Sequence, residues 1–232
     1  MIKAVLFDFN GVIINDESIN LQLIDEILIQ ENLQPQRLDE RQVRVGISDR
    51  LWIRDLLSRR GRVVSEAYLT ELLNRKAEAY VVELGKLEKL PLYPGLDDFL
   101  FQARSRHLKL GLVSGAIRKE VESVLERSNL AEHFAVIVAG VDTSTNKELN
   151  GYLLAVELLN QMYPELNLQP SECLAIEGTI LGIRTAKRIG MQVVGVANTY
   201  PFHMIQRLAN WAVDYLSDLE LERVVEVYAS KC

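Results

Sequence analysis

Short apolar runs of strand length punctuate this sequence, and their spacing changes once. "IKAVLFDF" opens the chain; "LKLGLVS", "FAVIVAG", "CLAIEG", "QVVGVAN" and a weaker run around "VDYL" come only after residue 107. Helical patterns fill the gaps among these later runs, as in "LDDFLFQARSR", "IRKEVESVLERSN", "YLLAVELLNQMY", "ILGIRTAKRIG" and, last, "LERVVEVYA". Strands apolar on both faces and separated by helices imply a parallel sheet covered on both sides. Between the first run and the second the rhythm is suspended. "DESINLQLIDEILIQENL", "SDRLWIRDLLSRRG" and "SEAYLTELLNRKAEAYVVEL" are helical in period, with Ser48 and Ser65 placed as N-caps and Gly61 as a stop. The turn in "LPLYPG" marks the return to strands. The expected fold is α/β: a Rossmann-like parallel sheet core from residues 1–15 and 92–232, with an inserted α-helical cap domain over 16–91.

With 232 residues, 48% of them hydrophobic, the chain can bury one such core and its insertion. A net charge of −6 argues against a general grip on nucleic acid or anionic membrane surfaces, so neither is an expected partner. Lys3 and Asp8 interrupt the opening, so no signal peptide is expected, and no apolar run reaches bilayer length. Cys173 and Cys232 stand far apart without metal spacing, which fits a reduced, cytoplasmic protein with Cys173 buried in a strand. His107, His133 and His203 are equally scattered. The sequence carries no signal of oligomeric state.

In parallel sheets of this kind, functional groups gather at the carboxyl ends of the strands. There the chain places Asp8, Ser114, and Glu177 with Thr179, and a polar loop between the last two strand ends adds Lys147. An aspartate so placed can attack a phosphoryl group, while a hydroxyl and an ammonium hold the transferring oxygens and a second carboxylate holds Mg²⁺. Each residue alone is also what a strand end meeting water requires. It is the four together, in this order, that point to chemistry. Arginines crowd residues 37–62: Arg41, Arg44, Arg50, Arg54, Arg59 and Arg60. Arg50 and Arg54, four apart on one helix, repel each other unless an anion lies nearby. That anion is either a phosphorylated or carboxylated small molecule or the chain's own acids, with Asp55 pairing with Arg59 and Asp49 relieving its neighbours.

The segments "LFDFNGVIINDE", "LGLVSGA", "GISDRLWIRDLL", "CLAIEGTILGIRTAKRIGMQVVGV" and "AVDYLSDLEL" together resemble the haloacid dehalogenase-type hydrolases. The likeness is to the subgroup with a helical cap after the first strand, near its β-phosphoglucomutase and phosphoglycolate phosphatase relatives, and it spans essentially the whole chain. It implies that Asp8 is a nucleophile forming an aspartyl-phosphate and that Ser114 and Lys147 bind phosphoryl oxygens. Asp8, the backbone carbonyl of Asn10 and Glu177 would face Mg²⁺. Gly46 and Arg50, where the cap's substrate-facing helix begins, and Gly115, beside Ser114, would meet a small phosphorylated or otherwise anionic metabolite.

The pattern is broken in places. Asn10 stands where phosphate-transferring members carry an aspartate that shuttles a proton, and an amide cannot do so. Gly178 replaces the aspartate after the glutamate and removes one arm of the metal site, which weakens Mg²⁺ binding without abolishing it. "NKELNGY" replaces the usual "KPxPxxY", and Asp16 replaces a small hydroxyl near the cap hinge. The expected function is Mg²⁺-dependent phosphatase or phosphomutase-type transfer, slowed by Asn10 and Gly178. Two alternatives stay open: a catalytically silent protein binding a small anion or a partner, and a metal-independent dehalogenase in which Asp8 attacks carbon.

Overall fold

The computed structural model describes residues 1–43, 46–140 and 147–229. Among these, β1 (Ala4–Phe7), β2 (Lys109–Val113), β3 (Val136–Val138), β4 (Cys173–Glu177), β5 (Gln192–Val196) and β6 (Trp211–Val213) form one sheet. Its order is β3-β2-β1-β4-β5-β6, and every pairing is parallel. The chain builds outward from β1 in one direction and then, beginning with β4, in the other. The carboxyl end of β1 is therefore a topological switch point, where a crevice opens between diverging connections.

The helices are α1 (Glu17–Gln30), α2 (Leu38–Val43), α3 (Asp49–Arg59), α4 (Glu66–Gly85), α5 (Leu96–Ser105), α6 (Arg118–Arg127), α7 (Lys147–Met162), α8 (Ile180–Arg188), α9 (Phe202–Ile205) and α10 (Leu221–Ala229). Alternation along β1 supplies both faces of the sheet. Val5 and Phe7 point into one apolar cluster, where Phe7 meets Phe99 and Phe134 edge-on at 5.6 and 5.7 Å. Ala4 and Leu6 point into the other, with Tyr152, Leu159 and Val193. The inserted helices hold an apolar cluster of their own, in which Ile24, Leu28, Trp52, Leu56, Leu69 and Leu72 interdigitate. Buried Trp52 donates its indole N–H to Gln36 Oε1 at 2.8 Å. Tyr80 and Leu84 of α4 join the first sheet cluster, so the insertion rests on that side of the core.

Two elements differ from the pattern read in the sequence. The last strand ends at Val213, where "VDYL" begins; Tyr215 is exposed and Leu216–Asp218 form a 3₁₀ turn. Helix α7 starts at Lys147, five residues before the apolar period starts at Tyr152. Gly151 sits inside it at a conformational cost, and a Cβ there would stand 2.9 Å from Val113 Cγ1. Close approach of α7 to β2 is what this glycine permits. Among the described residues no helix is long and apolar enough to cross a membrane.

Candidate active site

The carboxyl ends of β1, β2 and β4 open into a cavity of about 390 Å³ that contains Asp8, Asn10, Asp16, Ser114, Glu177 and Thr179 in its lining. The insertion roofs it. A Cβ on Gly46 would lie 3.3 Å from Thr179 Oγ1 and from Leu181 Cβ, and one on Gly115 would lie 3.1 Å from Ser48 Cα. Larger residues at either position would push the roof off the sheet.

Asp8 follows β1 and extends its ladder, its N–H donating to Ile176 O at 2.9 Å. Its Oδ1 accepts from the Phe9 N–H at 2.7 Å, which fixes the carboxyl at the mouth of the strand. Glu177, the last residue of β4, is buried; it accepts from the Tyr152 hydroxyl and, at 3.4 Å, from Thr179 Oγ1. Burial, and then the charge of Asp8, push the Glu177 carboxyl well above the usual carboxylate range, and it shares a hydrogen bond with Asp8. Gly182 leaves room for that carboxyl, since a Cβ there would run into it. Thr179 caps α8, accepting from the Gly182 N–H at 3.0 Å.

Ser114 closes β2, its N–H bonded to Val138 O at 2.8 Å. Its Oγ accepts from the Ala116 N–H at 3.0 Å, so the hydroxyl proton is left to donate into the cavity. Asn10 donates its amide to both oxygens of Asp16, at 2.9 and 3.1 Å, and Tyr80 donates its hydroxyl to Asp16 Oδ2 at 2.5 Å. Gly11 turns the loop at φ +81°, and its carbonyl accepts from Asn198 Nδ2 at 2.9 Å.

The cavity thus brings together Asp8, Asn10, Ser114, Gly115, Glu177 and Gly46. Lys147 opens α7, and its side chain lies outside the described residues, as does Arg44. Arg50 is turned to α4, donating to Glu66 Oε2 at 2.8 Å and Thr70 Oγ1 at 2.9 Å. Glu66 also takes Arg54 at 2.5 Å, so the anion between these two arginines is the chain's own. Asp55 pairs with Arg59 at 2.7 Å. Asp49 instead joins a buried cluster around Lys76, whose Nζ meets Asp49 Oδ2 at 2.9 Å, Glu120 Oε1 at 2.8 Å and Asn20 Oδ1 at 2.6 Å. Neither Lys76 nor Tyr80 stands out in the reading of the sequence. Their signal is a lysine and a tyrosine, four apart, on the same helical stripe as Leu69, Leu72, Leu73 and Leu84.

A hard cation needs one or two carboxylates supplemented by carbonyl, water and phosphate oxygens. The adjoining Asp8 and Glu177 carboxyls satisfy that minimum, and an added cation would relieve their mutual repulsion, so the residues present fit Mg²⁺. Among the described residues no third carboxylate, histidine or cysteine completes a cluster. Gly178 has a packing reason for its lack of a side chain: a Cβ there would stand 2.9 Å from the Gly11 carbonyl oxygen.

Comparison with known proteins gives the family and the fold. The sequence pattern of the haloacid dehalogenase-like hydrolase family matches residues 5–196. The chain is 29% identical to β-phosphoglucomutase of Bacillus subtilis over 226 residues, covering 97% of this chain and 94% of that one. It is 27% identical to phosphoglycolate phosphatase of Synechococcus elongatus over 222 residues, covering 94% and 95%. A crystal structure of β-phosphoglucomutase from Clostridium difficile superposes with a TM-score of 0.82 at 23% identity, covering 100% of this chain and 99% of that one. From its first strand to its fifth, and with the helical insertion in between, the chain belongs to the haloacid dehalogenase-like hydrolases.

Proposed function

We propose that the protein is a Mg²⁺-dependent phosphatase or phosphomutase-type phosphoryl-transfer enzyme for a small phosphate ester, with Asp8 as nucleophile. The observation that carries this reading is the convergence of Asp8, Glu177 and the free hydroxyl proton of Ser114 on one roofed cavity at the switch point. The likeness to a phosphoglucomutase and a phosphoglycolate phosphatase over nearly the whole chain supports it. In the first step an Asp8 oxygen bonds to phosphorus as the ester oxygen leaves. In the second, water or a second acceptor takes the phosphoryl group and frees Asp8.

Ser114 would hold a phosphoryl oxygen, and Lys147, from the start of α7, would supply a compensating charge. Asp8, the backbone carbonyl of Asn10 and Glu177 would hold Mg²⁺, which supplies charge neutralisation on the transferring group when bound. Gly46 and Gly115 would let the roof close on the substrate, and Arg50 braces the roof through Glu66 and Thr70.

Phosphate release from a panel of aryl, sugar and carboxylated phosphate esters tests this reading. Release is expected with Mg²⁺, and loss is expected on adding a chelator or in Asp8→Asn. Turnover that survives the chelator would instead indicate attack without metal, and anion binding without turnover would indicate a silent binder.

A further inference from the structure

Resting on the proposed function only in that the cavity receives an anion, we infer that Glu120 is a proton-operated latch for the roof. It holds a proton while the inserted helices are shut over an anion and gives it up to solvent as they loosen.

Glu120 belongs to the sheet core, in the first turn of α6, and it is 1% exposed. What covers it comes from the insertion. Its Oε1 accepts from Lys76 Nζ of α4 at 2.8 Å, and Lys76 in turn meets Asp49 of α3 at 2.9 Å and Asn20 of α1 at 2.6 Å. The other oxygen stays within the core, accepting from the Ile117 N–H at 3.3 Å. Asn20 and Asp49 also line the cavity. The cluster is therefore at once a seam between insertion and core and part of the wall of the site.

The seam is held unevenly. The chain crosses between core and insertion on two adjacent segments, where the Asn15 N–H donates to Pro91 O at 2.9 Å. Arg127, at the far end of α6, grips the C-terminal end of α4 through the carbonyls of Leu84 and Leu87. Lys76 lies two turns before Leu84, about 12 Å along the helix axis. A tilt of the insertion about its anchored end therefore parts Lys76 from Glu120 and lets water reach the carboxyl.

Facing Glu120 are Lys76 and Tyr80 on α4, Asp49 on α3 and Asp16 ahead of α1. On its own helix, Arg118 pairs with Glu122 at 3.4 Å and Lys119 with Glu78 at 3.7 Å. In the shut roof, burial pushes the Glu120 carboxyl up to about 7, with Lys76 opposing and Asp49 and Asp16 reinforcing. An anion in the cavity adds like charge beside Asp49. In the loosened roof the carboxyl returns toward its ordinary value of 4.5. Closure thus takes up a proton. The help this gives is complete below about 4.5 and is lost as pH rises through about 7.

Sulfate is the probe, because its charge is constant across this range. Its affinity for the full chain with Mg²⁺ is read by isothermal titration calorimetry from about pH 5 to about pH 8. Affinity should fall by up to about tenfold per pH unit on the way to 7 and level off above it, with up to about one proton taken up per sulfate. Glu120→Gln, a stand-in for the protonated carboxyl, should flatten the fall and bind sulfate more tightly than the parent at the alkaline end. Loss of a merely structural contact would not improve binding. Asp49→Asn, which removes a like charge facing Glu120, should move the end of the fall to lower pH, a test that stands even if Glu120→Gln fails to fold. A flat profile in the parent, an equally steep one in Glu120→Gln, an end point unmoved by Asp49→Asn, or no sulfate binding at any pH would each overturn the inference. Sulfate binding needs no turnover, so failure of the phosphatase reading is seen separately, as absence of phosphate release.

Discussion

Asp8 and Glu177 oppose each other in the cavity, because a half-buried carboxyl adjoins a buried one that is pushed up by burial and by the first. Replacing Asp8 by Asn removes the repulsion. The chelated Asp8→Asn protein should melt above the chelated parent, and the upward shift that Mg²⁺ gives the parent by binding the folded state should vanish. Differential scanning fluorimetry with and without Mg²⁺ reads both effects. Gly178→Asp, which would appear to restore a missing metal ligand, should instead destabilise by about 1–3 kcal/mol in urea denaturation, as overpacking does. Its Cβ meets a backbone carbonyl that cannot swing aside. Asp8, Ser114 and Glu177 were legible in the sequence because strand ends announce themselves by an apolar run that stops at a polar residue. The grip of Tyr80 on Asp16 was not, since the two are 64 residues apart and only the docking of α4 brings them together.

The inserted helices are tied to each other and to the core through one ammonium. Lys76 of α4 is bonded at once to Asn20 of α1, Asp49 of α3 and Glu120 of α6. Lys76→Met should cost about 3–5 kcal/mol, because it leaves two buried carboxylates without their counter-charge. Burial pushes the Glu120 carboxyl up to about 7, Lys76 opposing and Asp49 and Asp16 reinforcing the rise. A carboxyl raised on folding binds its proton more tightly in the folded state. Its contribution to stability is therefore fully present below the unfolded value near 4.5 and is lost as pH rises through about 7. Thermal midpoints measured from pH 4.5 to 7 should fall more steeply in the parent than in Glu120→Gln; parallel profiles would show that Glu120 is not the group responsible. Apolar periodicity exposed the strands and most helices, because burial on two faces or on one leaves a period of its own. It could not expose the first turn of α7, where Leu149 is the one apolar residue between Lys147 and Asn150, nor decide which anion answered Arg50 and Arg54.

The sheet places Asp8, Ser114 and Glu177 and the insertion closes over them, so the proposed chemistry stands or falls on what Asp8 does inside the roofed cavity. Sheet order is invisible to periodicity, which counts strands without ordering them; the structure supplies it, pairing β1 in parallel with both β2 and β4. Roof contacts at Gly46 and Gly115 were foreseen only as a pair of small residues near the substrate. Their reason, close packing against Thr179, Leu181 and Ser48, needs the inserted helices and the sheet both in place. The most direct measurement is to mix the protein with Mg²⁺ and an acyl or aryl phosphate, quench in acid during turnover, and weigh the peptide that carries Asp8. The account predicts one phosphoryl group on Asp8, removed by hydroxylamine, and no label with chelator or in Asp8→Asn. Phosphate release without label on that peptide, or label on another residue, would contradict it.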